Sequence, residues 1–380
     1  MPKVILKDVV ERIKDKVDKD TSNLEYYIGG EHFDYAEVCI TRRGVIQGST
    51  IGPAFHMRFQ PGDVLLMSRN PHLRKAGTVD FEGICSDVSY VCRTRDENVL
   101  LQKFLPFIFQ SDDFWGFAEK NKKGSTNFFL NWSDFERYEF YLPEIEEQKK
   151  LAELLWAAQD TKTSYKNLIK QTDELVKSQF IEEFGKLEFN TKHYPIKKLN
   201  EIADYWNGLT YKPTDAVQDG SGILVLRSSN IQNGSLAFTD NVRVACQIKE
   251  KLFVKDNDIL MCSRNGSAAL VGKTALIKGL TEPMTFGAFM MVIRSSYYPF
   301  LKTYFELPVF RNQISTGTST INQITGKMLN DINIPVPDMA AIERFRVFVE
   351  QSDKSKFELK QAIENISKLM KSLIQQDFNQ

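Results

Sequence analysis

Cysteine and histidine are scarce in this sequence, charge of neither sign is in excess, and each shortage excludes a class of protein. The four histidines form no pair at helical spacing, so no histidine-based metal site is predicted. The 49 lysines and arginines equal the 49 aspartates and glutamates, so the charge of the whole chain does not indicate a nucleic-acid-binding protein. The cysteines are odd in number and lack a C-x-x-C spacing, which predicts reduced thiols and neither a disulfide framework nor a zinc site: Cys39, Cys85, Cys92, Cys246 and Cys262.

Long hydrophobic runs are also absent. No apolar stretch approaches the ~20 residues that a transmembrane helix needs. Residues 1–20 are charged and contain no signal-peptide core, so we expect a cytoplasmic protein. With 380 residues, of which 42% are hydrophobic and 26% charged, the chain is long enough for two domains that each bury a core.

Catalytic motifs are missing as well. Residues 266–274 resemble a phosphate-binding loop but have one residue too many between the two glycines. Asn70-Pro71 begins like the Asn-Pro-Pro-Tyr motif of amino-methyltransferases, but His72 follows it and no glycine-rich S-adenosylmethionine loop precedes it. No Ser/His/Asp or paired-carboxylate arrangement can be identified by spacing. The sequence therefore predicts a chain that is not an enzyme by itself.

The main positive signal is an internal repeat. Residues 63–70 (DVLLMSRN) match residues 258–265 (DILMCSRN), and the helical ending 177–184 matches 371–378. Two further pairs, 124–127 with 317–320 and 141–143 with 335–337, keep the same offset of 193 to 195 residues. Because the offset is steady along the whole chain, we predict two copies of one structural unit.

Within each copy, the hydrophobic pattern changes once. The first three quarters mix short apolar segments with Gly, Asn and Pro, which predicts strands such as 222–226, 269–277 and 289–293 and short helices such as 300–314. This mixture predicts an α+β fold. After Pro143 and again after Pro337, the pattern is helical for about forty residues.

The two helical segments carry apolar residues at alternating steps of four and three, which is typical of a coiled-coil seam. Both seams also contain a small residue followed by a lysine at the same places, Ala158 and Lys162 in the first and Ser352 and Lys356 in the second. The apolar seam residues are Leu151, Leu155, Tyr165, Ile169 and Val176 in the first helix and Phe345, Val349, Leu359, Ile363, Ile366, Met370 and Leu373 in the second. We predict that the helices pack on each other in a fixed register; the alternative is two amphipathic helices that each cover their own domain.

Polar and basic segments between the predicted strands supply candidate ligand-binding residues. Residues 191–337 carry 16 Lys and Arg against 11 Asp and Glu, whereas residues 1–143 carry 19 against 21. Lys and Arg neutralise phosphates, and Arg, Asn, Gln, Ser and Thr hydrogen-bond base edges. Each residue taken alone is equally well explained as a solvated charge or a structural turn. The candidates for DNA contact are Arg42, Arg43, Arg69, Asn70, Arg74, Lys75, Lys122, Lys123, Ser125, Thr126 and Asn127 in the first copy and Arg227, Ser229, Asn230, Arg264, Asn265, Lys273, Thr316, Thr318, Ser319, Gln323 and Lys327 in the second.

The order of globular region, Leu-Pro or Val-Pro, long helix, and then the same again resembles the specificity subunit of type I restriction-modification systems. The resemblance is carried by residues 142–148 (LPEIEEQ) and their degenerate partner 336–342 (VPDMAAI). The Gly-Asp-Val-Leu phrase at 62–65 and the two Lys-Ser helix ends add to it. It extends over essentially the full chain, although Ala341-Ile342 replaces the Glu-Gln pair in the second copy.

The resemblance implies target recognition domains at 1–143 and 191–337, and helical spacers at 144–190 and 338–380 that pack as an antiparallel coiled coil. Each domain would bind one half of a bipartite, asymmetric double-stranded DNA target in a host-defence system. The helices would dock two methyltransferase subunits, and restriction (motor-nuclease) subunits would complete the complex. S-adenosylmethionine, ATP and Mg would bind those partners and not this chain. Two alternatives stay open, a coiled-coil scaffold without DNA recognition and a self-contained DNA-modifying enzyme.

Overall fold

The computed structural model describes residues 2–314 and 323–378, and the chain divides into two compact units. The first unit comprises Met1–Leu168 and Glu358–Gln380, and the second is Ile169–Phe357. Both divisions fall inside long helices, Ile145–Phe184 and Met339–Phe378, so each unit combines a globular part with a portion of both helices.

The globular part of the first unit mixes strands and short helices. Its strands are β1 (Lys3–Ile5), β2 (Val10–Ile13), β3 (Tyr26–Ile28), β4 (Gly44–Val45), β5 (Phe55–Phe59), β6 (Val64–Met67), β7 (Ala76–Thr78), β8 (Gly83–Ser86), β9 (Ser89–Thr94) and β10 (Glu139–Tyr141). Its helices are α1 (Leu6–Val9), α2 (Leu105–Ile108), α3 (Asp112–Asn121) and α4 (Trp132–Phe135), followed by the long helix α5 (Ile145–Phe184). One sheet is antiparallel with the order β2-β9-β6-β7; a second has the order β4-β3-β8-β5, with β3 and β8 parallel.

The second unit has the same mixed character. Its strands are β11 (Ile196–Lys198), β12 (Asp204–Asn207), β13 (Ala216–Val217), β14 (Ile223–Leu226), β15 (Ile231–Gln232), β16 (Ser235–Leu236), β17 (Val242–Val244), β18 (Ile259–Cys262), β19 (Thr274–Leu276), β20 (Met284–Phe286), β21 (Met290–Arg294) and β22 (Asn333–Pro335). Its helices are α6 (Tyr298–Tyr304), α7 (Pro308–Ile314) and α8 (Gly326–Asn330), followed by the long helix α9 (Met339–Phe378). The antiparallel sheet has the order β12-β21-β18-β19, and the sheet β13-β17-β14-β20 contains the parallel pair β14 and β20.

Continuous apolar runs form the central strands because both faces of these strands are covered. In β6, Val64 and Leu66 belong to the core shared with the helices, whereas Leu65 and Met67 belong to the core shared with the second sheet. Strand β18 divides its four buried residues between two cores in the same alternating way. Successive side chains of a strand point to opposite faces, so a strand with two covered faces must be apolar throughout.

The repeated aspartate before each of these strands has a structural role. Asp63 is buried, and its carboxylate accepts hydrogen bonds from Nε of Arg93 and, at 2.9 Å, from Nη2 of Arg93. The same carboxylate accepts the backbone N–H of Gln60 in the turn at 2.7 Å. Asp258 is buried in the same way and bonds Arg294 through two contacts of 2.7 Å. The matching Asp in both copies is therefore explained by an ion pair between a buried carboxylate and a partly exposed arginine, which connects the turn to the neighbouring strand.

The long helices bury the predicted seam. Each of the twelve apolar seam residues is buried or half-buried, as are Lys162 and Lys356 between them. In the first unit, Leu155 of α5 lies in one hydrophobic cluster with Met370 and Ile374 of α9. The same cluster contains strand and helix residues of the globular part, so these helix ends also cover their own domain.

In the second unit, the late part of α5 packs against the early part of α9. The ring of Phe345 lies 5.5 Å from that of Phe180 and 5.2 Å from that of Phe184, both edge-on. Lys356 fills the polar break here, since its ammonium lies 2.9 Å from Asp173 and 3.1 Å from Asp353. The polar position in the seam therefore carries a satisfied ion pair.

Individual sequence predictions can be compared with these elements. Strands predicted at 222–226 and 289–293 are confirmed within one residue at each end as β14 and β21. The strand predicted at 269–277 is wrong over its first part, because Ala268–Leu270 form a 3₁₀ turn before β19. The helix predicted at 300–314 is two helices, because Pro308 starts a new helix and cannot continue the old one.

The structure can also be compared with the expectations of reduced thiols and of no transmembrane helix. All five cysteines are free, and burial raises the pKa of Cys39 to about 11. Within the described ranges, no helix is both long and apolar enough to cross a membrane.

Candidate nucleic-acid interface

Candidate residues of the first unit gather at one end of the sheet β2-β9-β6-β7, which we call the Arg69 end. Arg69 and Asn70 follow the last residues of β6, and Lys75 directly precedes β7. Because β6 is antiparallel to both β7 and β9, the start of β9 lies at the same end, and so does the end of β2. Arg69 is exposed and Asn70 half-buried, with a left-handed φ of +51°.

A second candidate segment joins the Arg69 end. Residues 68–70 pair with residues 128–130 through backbone hydrogen bonds of 2.8 and 2.9 Å. Lys123 and Phe129 exchange two more, of 2.8 and 3.0 Å, and close a hairpin that Gly124 opens with a φ of +92°. The hairpin exposes the candidates Ser125, Thr126 and Asn127. The structure thus brings together two candidate segments that are far apart in the sequence.

The second unit has a similar site at one end of the sheet β12-β21-β18-β19, which we call the Arg264 end. The candidates Arg264 and Asn265 follow β18, and Lys273 precedes β19. Arg264 forms an isolated antiparallel bridge with Gln323, so Gln323 lies at this end too. Lys327 is exposed in α8. The candidates Thr316, Thr318 and Ser319 fall outside the described residues.

Both named arginines lie over an aromatic ring. The guanidinium of Arg69 is 5.4 Å from the ring centre of Phe129, and that of Arg264 is 5.4 Å from the ring centre of Phe289. Both arginines are exposed, and within residues 2–314 and 323–378 neither forms a salt bridge. A guanidinium held over a ring keeps its charge and its planar set of donors available for a ligand.

Other basic candidates are already paired with carboxylates. The pairs are Arg42 with Asp34 (2.6 Å), Arg74 with Asp112 (2.6 Å), Lys122 with Glu119 (2.7 Å), Lys123 with Asp134 (2.7 Å) and Arg227 with Asp240 (2.7 Å). Lys123 holds a buried carboxylate, since Asp134 is almost inaccessible. Contact of these side chains with a phosphate competes with the existing pair, so they are weaker candidates than Arg69 and Arg264.

Two further cations differ from this group. Arg43 is exposed and lies near two rings, with its guanidinium 3.9 Å from the ring centre of Tyr26 and 4.7 Å from that of Phe81. Lys75 donates to the carbonyl of Gly30 at 2.6 Å, which fixes its ammonium against the adjacent turn.

The polar candidates around position 230 need a correction. Asn230 is fully buried, and its side chain accepts from the backbone of Arg227 at 2.9 Å and donates to the carbonyl of Ala237 at 2.9 Å. Its amide is therefore used to hold a turn and is not available to DNA. Ser229 is half-buried. Asn265 donates to the hydroxyl of Ser228 at 3.2 Å and brings this turn to the Arg264 end.

Residues that sequence reasoning missed lie at the same two ends. Lys14 follows β2 and is exposed at the Arg69 end. Asn207 ends β12, and Phe289 precedes β21 with 60% of its surface exposed, both at the Arg264 end. The sequence contains no local signal for these residues, because their proximity depends on which strands pair.

Comparison with known proteins provides an independent result. Residues 192–368 match the family model described as the type I restriction modification DNA specificity domain. The chain is 29% identical over 178 residues to the type I restriction enzyme EcoKI specificity subunit of Escherichia coli (strain K12), which is 44% of this chain and 38% of that protein. It is 29% identical over 189 residues to the StySPI specificity subunit of Salmonella potsdam, 47% of this chain and 40% of that protein. The matched region thus spans about two fifths of each curated relative.

Solved structures share the fold. The type I restriction-modification system S subunit from M. genitalium aligns with a TM-score of 0.56 at 13% identity, covering 100% of this chain and 96% of that one. A chain from a study of complex assembly and conformational transition of the type I R-M system aligns with a TM-score of 0.55 at 18% identity, covering 99% and 97%. The predicted mixed α and β fold with long helices is confirmed.

Proposed function

We propose that this chain is the DNA specificity subunit of a type I restriction-modification complex, because residues 192–368 match the family model of the type I restriction modification DNA specificity domain. The observation that carries the proposal is the pair of exposed arginines, Arg69 and Arg264, each held over a ring at a strand end and without a carboxylate partner in the described structure. Arginine is the side chain best suited to bind guanine edges and phosphates.

The first finer part of the proposal is that two copies of one unit each bind one half of a bipartite target. Several parallels between the units support it. The antiparallel sheets have strand orders of the same form, β2-β9-β6-β7 and β12-β21-β18-β19. In both, a buried aspartate paired with an arginine of the neighbouring strand precedes the central strand, and a Ser-Arg-Asn segment follows it. A duplicated DNA-binding unit suits a target with two separate half-sites.

The second part concerns the helices. We propose target recognition domains at 1–143 and 191–337, with helical spacers at 144–190 and 338–380 packed as an antiparallel coiled coil. This pairing is supported by the contacts inside each unit, where the beginning of α5 packs with the end of α9 and the end of α5 with the beginning of α9. Each helix has 40 residues and a length of about 60 Å at ~1.5 Å per residue. Rigid helices of this length would keep the two half-sites at a constant distance.

The third part is that the helices dock two methyltransferase subunits. Leu154, Leu168 and Leu175 are 49%, 45% and 54% exposed. Their spacing by multiples of seven residues puts them on one face of α5, outside the seam. A row of exposed leucines on a long helix is suited to a protein partner. Methyl transfer and DNA cleavage would belong to methyltransferase and restriction subunits, which would also bind S-adenosylmethionine, ATP and Mg.

The proposal is tested by co-expressing the chain with the neighbouring methyltransferase gene and mapping methylated sites in host DNA. We expect methylation at a single two-part sequence, and none when the chain is left out. The purified chain alone should transfer no labelled methyl group to DNA. Methylation of random sites by the complex would favour a scaffold without DNA recognition, and methyl transfer by the pure chain would favour an enzyme.

A further inference from the structure

Phe289 is a large apolar side chain that the fold leaves exposed on a rigid turn. The turn between β20 and β21 is closed by a hydrogen bond of 2.8 Å from Met290 to Gly287. The carbonyl of Phe289 accepts the backbone N–H groups of Ser263 and Arg264 at 3.0 and 3.1 Å and the Ser263 hydroxyl at 2.9 Å. The backbone of Phe289 is thus fixed by three hydrogen bonds while 60% of its surface remains exposed. Exposure on a fixed backbone suits contact with a ligand.

The position of Arg264 over the ring couples the two side chains. The guanidinium lies 5.4 Å from the ring centre, within the range of a cation–π contact. Such a contact restricts both side chains before any ligand binds, so less conformational entropy is lost on binding. The pair therefore presents a planar set of donors beside an apolar surface.

This combination matches two neighbouring base pairs in a major groove. A guanidinium donates to O6 and N7 of guanine, and an apolar side chain packs on the methyl group of thymine. We propose that Arg264 and Phe289 form one recognition element, in which Arg264 binds a guanine and Phe289 contacts the methyl group of an adjacent thymine. The inference rests on the proposed function and adds the bases that this site selects.

The first unit has a different arrangement, which provides an internal comparison. Val88 is the counterpart of Phe289, since its carbonyl accepts the backbone N–H of Ser68 at 2.8 Å. The side chain of Val88 is half-buried. The ring beneath Arg69 is Phe129, which belongs to the hairpin and is also half-buried. No exposed phenylalanine therefore occupies the place of Phe289 at the described Arg69 end, and the thymine contact is assigned to the second half-site.

The test uses the complex of this chain with its methyltransferase subunits, on a duplex carrying the mapped target. Each thymine of the half-site assigned to residues 191–337 is replaced in turn by uracil, which lacks only the methyl group. We expect one position where uracil weakens wild-type binding about fourfold, the value of one buried methyl group. The same replacement should leave binding by Phe289→Ala unchanged, and the position should adjoin the guanine that Arg264→Ala no longer selects.

Matched variants keep the result interpretable. Phe189→Ala removes a side chain that is 73% exposed and belongs to the turn after α5, and this variant should retain the uracil effect. Phe289→Leu keeps an apolar side chain and should retain part of the uracil effect. It is used in place of Phe289→Ala if the alanine variant melts at a lower temperature than the wild type. Equal uracil sensitivity in wild type and Phe289→Ala, or a half-site that lacks such a thymine, overturns the inference while leaving the proposed function intact. Loss of all sequence-specific binding in the wild-type complex overturns the proposed function.

Discussion

The ammonium of Lys162, in the middle of α5, lies 3.0 Å from the carboxylate of Glu37, which comes from a loop of the first unit 125 residues earlier in the chain. Lys166, one turn later, binds the other oxygen of the same carboxylate at 2.8 Å. Lys162 is almost inaccessible, and Glu37 retains only 20% side-chain exposure. The lysine that interrupts the predicted seam therefore anchors the helix to a loop of its own unit.

This contact predicts a pH-dependent stability. Burial alone would raise the pKa of Glu37, but hydrogen bonds and charge from Lys166 and Lys162 outweigh it and hold the pKa below its ordinary value. A carboxylate whose pKa is lowered by folding contributes stability above its unfolded pKa and loses it as the pH falls through its folded pKa. We expect Glu37→Gln to unfold more easily by about 2 kcal/mol near neutral pH, and the difference from wild type to shrink below about pH 4.

Urea unfolding of both proteins at several pH values measures this difference. Asp34→Asn is the matched control, since Asp34 pairs with Arg42 on the surface with both side chains about half exposed. Its effect should stay below about 1 kcal/mol at every pH. A constant difference between wild type and Glu37→Gln down to strongly acidic pH would contradict the assignment.

The two exposed arginines predict separable defects in target choice. Arg264→Ala should relax one position of one half-site by about 1–3 kcal/mol, and Arg69→Ala one position of the other. Mapping of methylated sites and binding measured at several salt concentrations distinguish base contacts from phosphate contacts. If binding to all sequences weakens alike and the salt slope falls by about one, the arginine contacts a phosphate.

Arg95→Ala serves as control for the first unit. Arg95 follows β9 at the opposite end of the sheet from Arg69, and its side chain is half exposed. Its removal should leave both half-sites unchanged. A shift of specificity in this control would remove the Arg69 end from consideration as the DNA-binding surface.

The pair between buried Asp258 and partly exposed Arg294 predicts a large effect on stability. Asp258→Asn removes the charge that two guanidinium nitrogens of Arg294, Nε and Nη2, contact at 2.7 Å, while Asp258 itself is only 1% exposed. We expect a loss of about 3 kcal/mol, because removal of one partner leaves the other charge partly buried and unpaired. In thermal unfolding of this variant, we expect the second unit to unfold at a lower temperature than in the wild type. Asp256→Asn, an exposed change in the same turn, should cost less than about 1 kcal/mol.

The seam predicts opposite outcomes for two adjacent residues of α5. Ile169→Asp places a carboxylate at a half-buried seam position and should cost several kcal/mol, with loss of soluble protein or of the fixed domain spacing. Ile363→Asp in α9 should act in the same way. Leu168→Asp changes a side chain that is 45% exposed and should leave folding intact while weakening assembly with the methyltransferase. Normal folding and assembly of both seam variants would exclude the coiled coil.

The proposed modular arrangement predicts the outcome of a graft. Residues 191–337 from a relative with a different target should exchange one half-site and leave the other half-site and the spacing intact. The spacing should persist because it depends on the helices, which the graft does not replace. Methylated-site sequencing of the hybrid complex gives the answer. If both half-sites change together, a single composite DNA surface must replace the model of two recognition units.

Local patterns in the sequence were sufficient for much of the fold. The apolar central strands and the seam depend on periodicity over a few residues, whereas the repeat depends on matching segments 193 to 195 residues apart. The structure buries the central strands and leaves the seam residues buried or half-buried. The mixed α and β character could be predicted for the same reason. The repeated Asp63 and Asp258 were visible in the sequence, but their role was not, because Arg93 and Arg294 lie far along the chain.

The sequence by itself determined which residues are apolar, periodic and repeated, because these properties can be recognised without knowing which segments pair in the fold. The tertiary structure alone decided which polar residues remain available. It pairs residues 68–70 with 128–130, neutralises Arg42 and Arg74 with carboxylates, and buries the side chain of Asn230. It also leaves Phe289 exposed beside Arg264. Strand pairing and ion pairing join distant positions, and a linear pattern contains no information about which distant partner lies within a few ångströms.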